Sequence, residues 1–181
     1  ASPNLHFVLI YTGTARLARD ILDRVLERWS AKEGSVVEDV AALVAGAKRS
    51  AAAVVTGDAV TVGEELDKYW TLKKRMAAGA QPPRVAAMLA ALKRAGVAHG
   101  AALCGAGGGG FLVVVTKEPD DRAGVLEALG LRACPRCVRA RTKGLGLIHR
   151  SIIGVDAGTY GLGSIHRSII GVDAGTLRVA C

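Results

Sequence analysis

Leu103-Cys104-Gly105-Ala106-Gly107-Gly108-Gly109-Gly110-Phe111 runs straight into Leu112-Val113-Val114-Val115, and this stretch decides how the rest of the chain is read. Five glycines in six positions enlarge the conformational freedom of the unfolded chain that folding must remove, so an ordinary turn gains nothing from them. Two readings stand side by side. Successive backbone N–H groups, bare of side chains, can curl into a concave nest around an anion. Alternatively, the glycines make a tight, closely packed strand entry or a flexible linker. A linker does not run directly into Phe111–Val115, which has the unbroken apolar character of a buried strand.

Upstream, Leu5-His6-Phe7-Val8-Leu9-Ile10-Tyr11 is almost continuously apolar and predicts a central strand buried on both faces. Thr12-Gly13-Thr14 breaks it, and either threonine can cap the helix expected over about Ala15 to Ala31. In that helix Leu17, Ile21, Leu22, Val25, Leu26 and Trp29 share one face, while Arg16, Arg19, Arg24 and Arg28 fall largely off it as solvated charges. Arg16 stands apart, because it lies in the first turn after the glycine-bearing junction, where an anionic ligand would be met. A second helix, Val36 to about Val55, is alanine-rich and expected to be well covered. A third, about Ala59 to Ala78, sets Tyr69 above Lys73 and Trp70 above Lys74. Tyr69 and Lys73 are therefore candidates for the wall of a polar cleft, and Trp70 for the core. Pro83 opens a fourth helix to Ala95. Gly96 to Gly100 leads into the glycine loop, Phe111 to Thr116 is the second strand, and a short helix follows from Glu118 to about Leu129.

Near the C-terminus, Gly144 to Thr159 recurs as Gly161 to Thr176 with a period of 17, only Leu147 and Ser164 differing. Each copy holds a strand pattern, Ile148 to Val155 and Ile165 to Val172. Two copies are too few for a stacked repeat architecture, so the pattern reads as a tandem duplication. Residues 1–143 are taken as the domain core and 144–181 as the duplicated unit that closes it.

Composition removes several classes. The 181 residues carry a net charge of +8, which favours an anionic partner. The densest basic run, Arg132 to Lys143, has no interleaved aromatic residues, which argues against nucleic acid. No apolar run approaches the roughly 20 residues that span a bilayer. Four cysteines are too sparse for a disulfide scaffold and read as reduced thiols of a cytoplasmic protein. Cys134-Pro135-Arg136-Cys137 has no second pair at zinc spacing, no metal ligands cluster near His99, and no Gly-Lys-Ser/Thr phosphate loop is present. The absence of an initial Met gives the chain the look of a piece of something longer.

Three segments together resemble the C-terminal half of the GHMP small-molecule kinases: Val8 to Arg19 with its Tyr-Thr-Gly-x-x-Arg junction, Tyr69 to Met76, and Gly105 to Phe111. Within that superfamily they are most similar to the L-fucose and heptose kinase branch. The resemblance implies an α+β fold, a ferredoxin-like sandwich with helices against one face of an antiparallel sheet. It also implies ATP-dependent phosphorylation of the anomeric hydroxyl of L-fucose, with ATP and a small sugar as partners. Gly105, Ala106, Gly107, Gly108 and Gly109 match the family's third motif beside the ATP phosphates. Thr12, Gly13 and Arg16 match the junction facing the same cleft, and Tyr69 and Lys73 join them on the substrate side. The family's Pro-x-x-x-Gly-Leu-Gly-Ser-Ser loop and its catalytic residues belong to an N-terminal half not found upstream of Leu5. ATP binding, Mg2+ and turnover are accordingly expected only with that half, and a fused nucleotidyltransferase domain is a further expected partner. Gly161-Leu162-Gly163-Ser164 mimics the missing loop in the wrong topological place. A competing class is a non-catalytic, ferredoxin-like module that binds a small anion.

Overall fold

A computed structural model describes residues 5–14, 19–119, 121–131 and the backbone of 148–153. The elements are β1 (Leu5–Tyr11), α1 (Arg19–Ser30), α2 (Gly34–Thr56), α3 (Ala59–Met76), α4 (Pro83–Ala95), β2 (Ala98–Leu103), β3 (Phe111–Thr116), α5 (Arg122–Ala128) and β4 (Ile148–Ile153). One sheet has the order β2-β3-β1-β4. β3 lies antiparallel to both β1 and β2, with Phe7 opposite Val115 and Leu103 opposite Leu112. β4 joins the far side of β1 in parallel, Leu5 opposite Ile148 through Ile10 opposite Ile153. The expected antiparallel sheet thus holds for three strands and reverses at the fourth. Strand direction is not encoded in an apolar alternation that both kinds of ladder share. The second copy of the duplicated unit lies outside the described residues.

Register explains the core. Val8, Ile10, Leu112, Val114, Ala101 and Leu103 form one face, closed by Trp70, by Val85, Met88 and Leu92 of α4, and by Val125 and Leu126 of α5. Each large aliphatic side chain buried there contributes about 1.5–3 kcal/mol. Leu5 and Val115 pack with Ala53 of α2 and Val62 of α3 in a second cluster, and Leu66 touches both clusters.

β2 was hidden in the sequence. Ala-His-Gly-Ala-Ala-Leu has no β-branched residue and no clear alternation, and it is a strand because β3 offers it a ladder and α3 covers its other side. The cover is close: a Cβ on Gly63 would lie 2.5 Å from the His99 backbone, and one on Gly100 would run into the Gly63 carbonyl. Asp67 completes the cover, its Oδ1 accepting the Ala101 N–H at 3.0 Å. The outward donors of a sheet edge are thus met by a helix rather than left for another chain.

α1 and α2 are less enclosed than their patterns suggest. Ile21 is buried, but Leu22, Leu26 and Trp29 are 45%, 59% and 42% exposed, and only Val36, Asp39 and Ala53 of α2 are buried. α2 packs mainly on α3, through acids that the sequence does not mark as interior. Buried Glu65 takes Arg49 at 2.8 and 3.1 Å and Lys68 at 2.9 Å, and buried Asp39 takes Arg75. Arg24 and Arg28, expected as solvated charges, instead cross to the end of α3. Arg28 Nη1 donates to Met76 O at 2.6 Å and Arg75 O at 3.1 Å, and Arg24 Nη1 donates to Ala78 O at 3.2 Å. They satisfy carbonyls that the extended C-cap at Ala77 leaves without helical partners. Among the described residues, no helix is long and apolar enough to cross a membrane.

Gly100→Ala is expected to lower the unfolding free energy by about 2–3 kcal/mol through overpacking, measured by urea denaturation; an unchanged midpoint would mean that α3 can stand off from β2. The hydrogen bond from Arg49 holds the Glu65 carboxyl below its ordinary range. Stability from this pair is therefore present above about pH 4.3, the usual glutamate value, and lost as pH falls through the lowered one. In acid titrations the stability gap between the protein and Glu65→Gln should close below that point.

Candidate functional site

The glycine loop is the turn of a hairpin, closed by Cys104 N–H to Phe111 O at 2.7 Å. Tyr11 and Phe111, opposite each other in the ladder, stack at 5.4 Å beneath it. Two other loops hold it from the sides. Gly110 O accepts both the Thr12 N–H at 2.8 Å and the Thr12 hydroxyl at 2.9 Å, and Gly110 N–H donates to Thr14 O at 2.8 Å. Across the loop, Gly108 N–H donates to Ala80 O at 2.7 Å, in the connection between α3 and α4. Glycine is required where these strands of backbone touch. Gly109 has φ +154° and a Cβ there would lie 2.6 Å from Thr14 O, while one on Gly107 would lie 2.8 Å from Ala80 O.

The sequence candidates divide into supports and exposed groups. Thr12 is fully buried with its hydroxyl on Gly110 O, so it braces the loop instead of facing a ligand. Gly107 and Gly108 are buried, and Gly108 and Gly110 have committed their N–H groups to Ala80 and Thr14. The anion nest therefore cannot use every amide of the run. Gly105 is exposed, Ala106 and Gly109 half-buried. Tyr69 reaches the near end, its hydroxyl donating to Gly105 O at 3.3 Å. Trp70, one residue on, points into the core and donates Nε1 to Gln81 Oε1 at 2.7 Å, steadying the connection that carries Ala80. Arg16 lies outside the described residues.

Lys73 sits on α3 one turn beyond Tyr69, the residue that reaches Gly105. It is half-buried, and desolvation pushes its ammonium below the ordinary lysine range. A part-dry cation one helical turn from the contact to the glycine hairpin is a candidate partner for an anion. The neighbouring acids of the site are weak: burial pushes the Tyr69 phenol and the Cys104 thiol above their usual values. Both shifts favour the protonated forms, and in its protonated form the Tyr69 hydroxyl donates to Gly105 O. Among the described residues no group of three His, Cys, Asp or Glu is placed to hold a metal ion. The donors here, backbone amides and cations, fit phosphate oxygens and do not fit Mg2+.

Pattern reading missed Ala80, Gln81 and Arg84. Their residue types carry no signal, and only the path of the α3–α4 connection brings them to the hairpin. A groove of about 1190 Å3 lies elsewhere: it runs along α3 between α2 and α4 over Leu43, Leu66, Leu72 and Leu89, and no residue of 12–14 or 105–110 lines it. The hairpin is singled out by its chemistry.

Residues 50–135, from the end of α2 past α5, match the family model described as GHMP kinases C terminal. The chain contains a GHMP kinase C-terminal domain. The same fold is seen in L. major mevalonate kinase in complex with R-mevalonate, with a TM-score of 0.63 at 18% identity over 70% of this chain and 38% of that one. Streptococcus pneumoniae phosphomevalonate kinase, in complex with phosphomevalonate and AMPPNP, gives 0.51 at 14% identity over 68% and 35%. A Bacteroides fragilis L-fucokinase/L-fucose-1-P guanylyltransferase is 31% identical over 112 residues, 62% of this chain and 12% of that protein. This GHMP kinase domain therefore spans about one-eighth of the curated relative it matches.

Lys73→Met removes the desolvated charge. Because the folded-state pKa is lowered, the charge costs stability at neutral pH, and that cost fades as pH rises through the lowered value. The variant should unfold at an equal or higher temperature at pH 7, with the gain shrinking toward pH 10, by scanning calorimetry; a clear loss of stability would show Lys73 to be structural.

Proposed function

We propose that this chain is the C-terminal part of an ATP-dependent sugar kinase that phosphorylates the anomeric hydroxyl of L-fucose. The observation that carries the reading is the glycine hairpin, tied by backbone bonds to Thr14 and Ala80, with Tyr69 on Gly105 and Lys73 one helical turn from Tyr69. Phosphoryl transfer asks little covalent chemistry of the protein and relies on positioning and on neutralising the transferred group. Gly105, Ala106 and Gly109 would let phosphate oxygens approach bare backbone, and Lys73 would oppose their charge. Gly13, Arg16 and Tyr69 would border the sugar, and Thr12 would keep the loop in place. The choice of L-fucose is supported by the L-fucokinase activity for which the Bacteroides fragilis relative is named and by the resemblance of the Tyr69–Met76 helix.

ATP supplies the phosphoryl group when bound, and Mg2+ and the base that activates the sugar hydroxyl belong to the N-terminal half of the kinase. The relative's second activity supports a fused nucleotidyltransferase that would consume the sugar 1-phosphate. A kinase drawing on cellular ATP would work in the cytoplasm.

Incubation of the 181-residue chain and of an upstream-extended polypeptide with ATP, Mg2+ and L-fucose should give fucose 1-phosphate only with the extended form, read by 31P NMR. Turnover by the short chain, or an extended form active on another sugar but not on L-fucose, would overturn this assignment.

A further inference from the structure

We propose that Arg84, which lies over Gly13 beside the glycine hairpin, is a phosphate-contacting residue of this site. The inference rests on the phosphoryl-handling reading of the hairpin but needs no particular sugar. Arg84 is the second residue of α4 and follows Pro82-Pro83, whose rings fix φ, so its Cα is set firmly relative to Ala80, the acceptor of the Gly108 N–H. Its side chain is exposed and extends over Gly13 at the end of β1.

The orientation is informative. A Cβ built on Gly13 would lie 3.2 Å from Nη1, 3.5 Å from Cζ and 3.6 Å from Nη2. Three atoms of a planar group at nearly equal distances from one point mean that the plane lies broadside above it. A guanidinium presenting one nitrogen edge-on would put Cζ about an ångström farther than that nitrogen, and one presenting its fork would keep both nitrogens nearer than Cζ, given bond lengths of about 1.3 Å; neither holds here. Broadside stacking uses the face and leaves the N–H donors in the plane, beside Gly13, whose neighbour Thr14 accepts the Gly110 N–H. With five donors, the fork can keep a protein acceptor and still take an anion. Gly13, at φ +77°, supplies the flat bare surface on which the group rests.

Charge points the same way. Residues 12–14, 77–84 and 104–110, the three loops of the site, contain no Asp or Glu. The field of Arg84 and Lys73 is therefore not cancelled by any carboxylate of these loops. The two cations differ in kind: Lys73 is a point charge on a flexible stem, whereas Arg84 offers two parallel donors matched to two oxygens of one phosphate group. That phosphate can come from the nucleotide or from the phosphorylated sugar.

Titration calorimetry of the upstream-extended polypeptide, which supplies the N-terminal half, with ATP and, separately, with L-fucose 1-phosphate tests this. Arg84→Gln is expected to weaken at least one ligand by about tenfold or more, the worth of a charge-assisted pair. Arg84→Lys should recover only part of that loss, and Arg94→Gln, exposed at the far end of α4, should change nothing. Equal thermal midpoints confirm that the variants are folded. A loss confined to ATP assigns the nucleotide's phosphate, and a loss confined to fucose 1-phosphate assigns the sugar's; either supports the proposal. No saturable binding of either ligand by the unsubstituted upstream-extended polypeptide, or equal binding by Arg84→Gln, overturns it. Because the readout is binding, failure of the extended protein to phosphorylate L-fucose would strike the sugar assignment and leave the Arg84 result standing.

Discussion

Gly110 accepts the amide and hydroxyl of Thr12 through one carbonyl and returns its own N–H to Thr14. This knot ties the turn of the β2–β3 hairpin to the end of β1, two segments nearly a hundred residues apart in sequence. Buried backbone groups must find partners, and here they find them between two loops, so neither loop can move without exposing the other's donors. The second tie, Gly108 to Ala80, brings in the end of α3. Side chains are excluded at these crossings, which is why the run is glycine and why its remaining surface is bare.

The helices serve this arrangement in turn. α3 runs from the β2 edge, where Gly63 meets Gly100, to the hairpin, where Tyr69 meets Gly105. Its direction is fixed by Asp67 on the Ala101 amide and by the arginines of α1 on its last carbonyls. Its other side is clamped to α2 by two buried carboxylates, each with an arginine. Such pairs add little net stability over apolar packing but penalise any other register, because a slipped helix strands a buried charge. The energy of the fold comes from the Val, Leu, Ile and Trp70 core, and its geometry at the site from these polar contacts.

Much of this was legible in residue order. β1, β3 and all five helices follow from apolar periodicity and from the Pro and Gly signals at their ends, and the three matching segments identified the family. β2 was not legible, since its small residues are chosen by the close approach of α3 and carry no strand signature. The exposure of Leu22, Leu26 and Trp29 was not legible either, because periodicity reports an apolar face and not whether another element covers it. Arg24 and Arg28 looked like solvent-facing charges because their carbonyl partners lie some fifty residues away.

The division at the site is similar. Sequence by itself determined that a glycine run enters a buried strand, that a Thr-Gly-Thr junction ends another, and that Tyr69 and Lys73 share a helix face, because these depend on local conformation and helical spacing. Tertiary structure decided which of these groups support and which face outward. It buried Thr12, committed the amides of Gly108 and Gly110, turned Trp70 inward, and laid Arg84 over Gly13. Those outcomes depend on which distant backbone carbonyl or bare Cα each group meets, a property of the packed chain and of no single stretch of it.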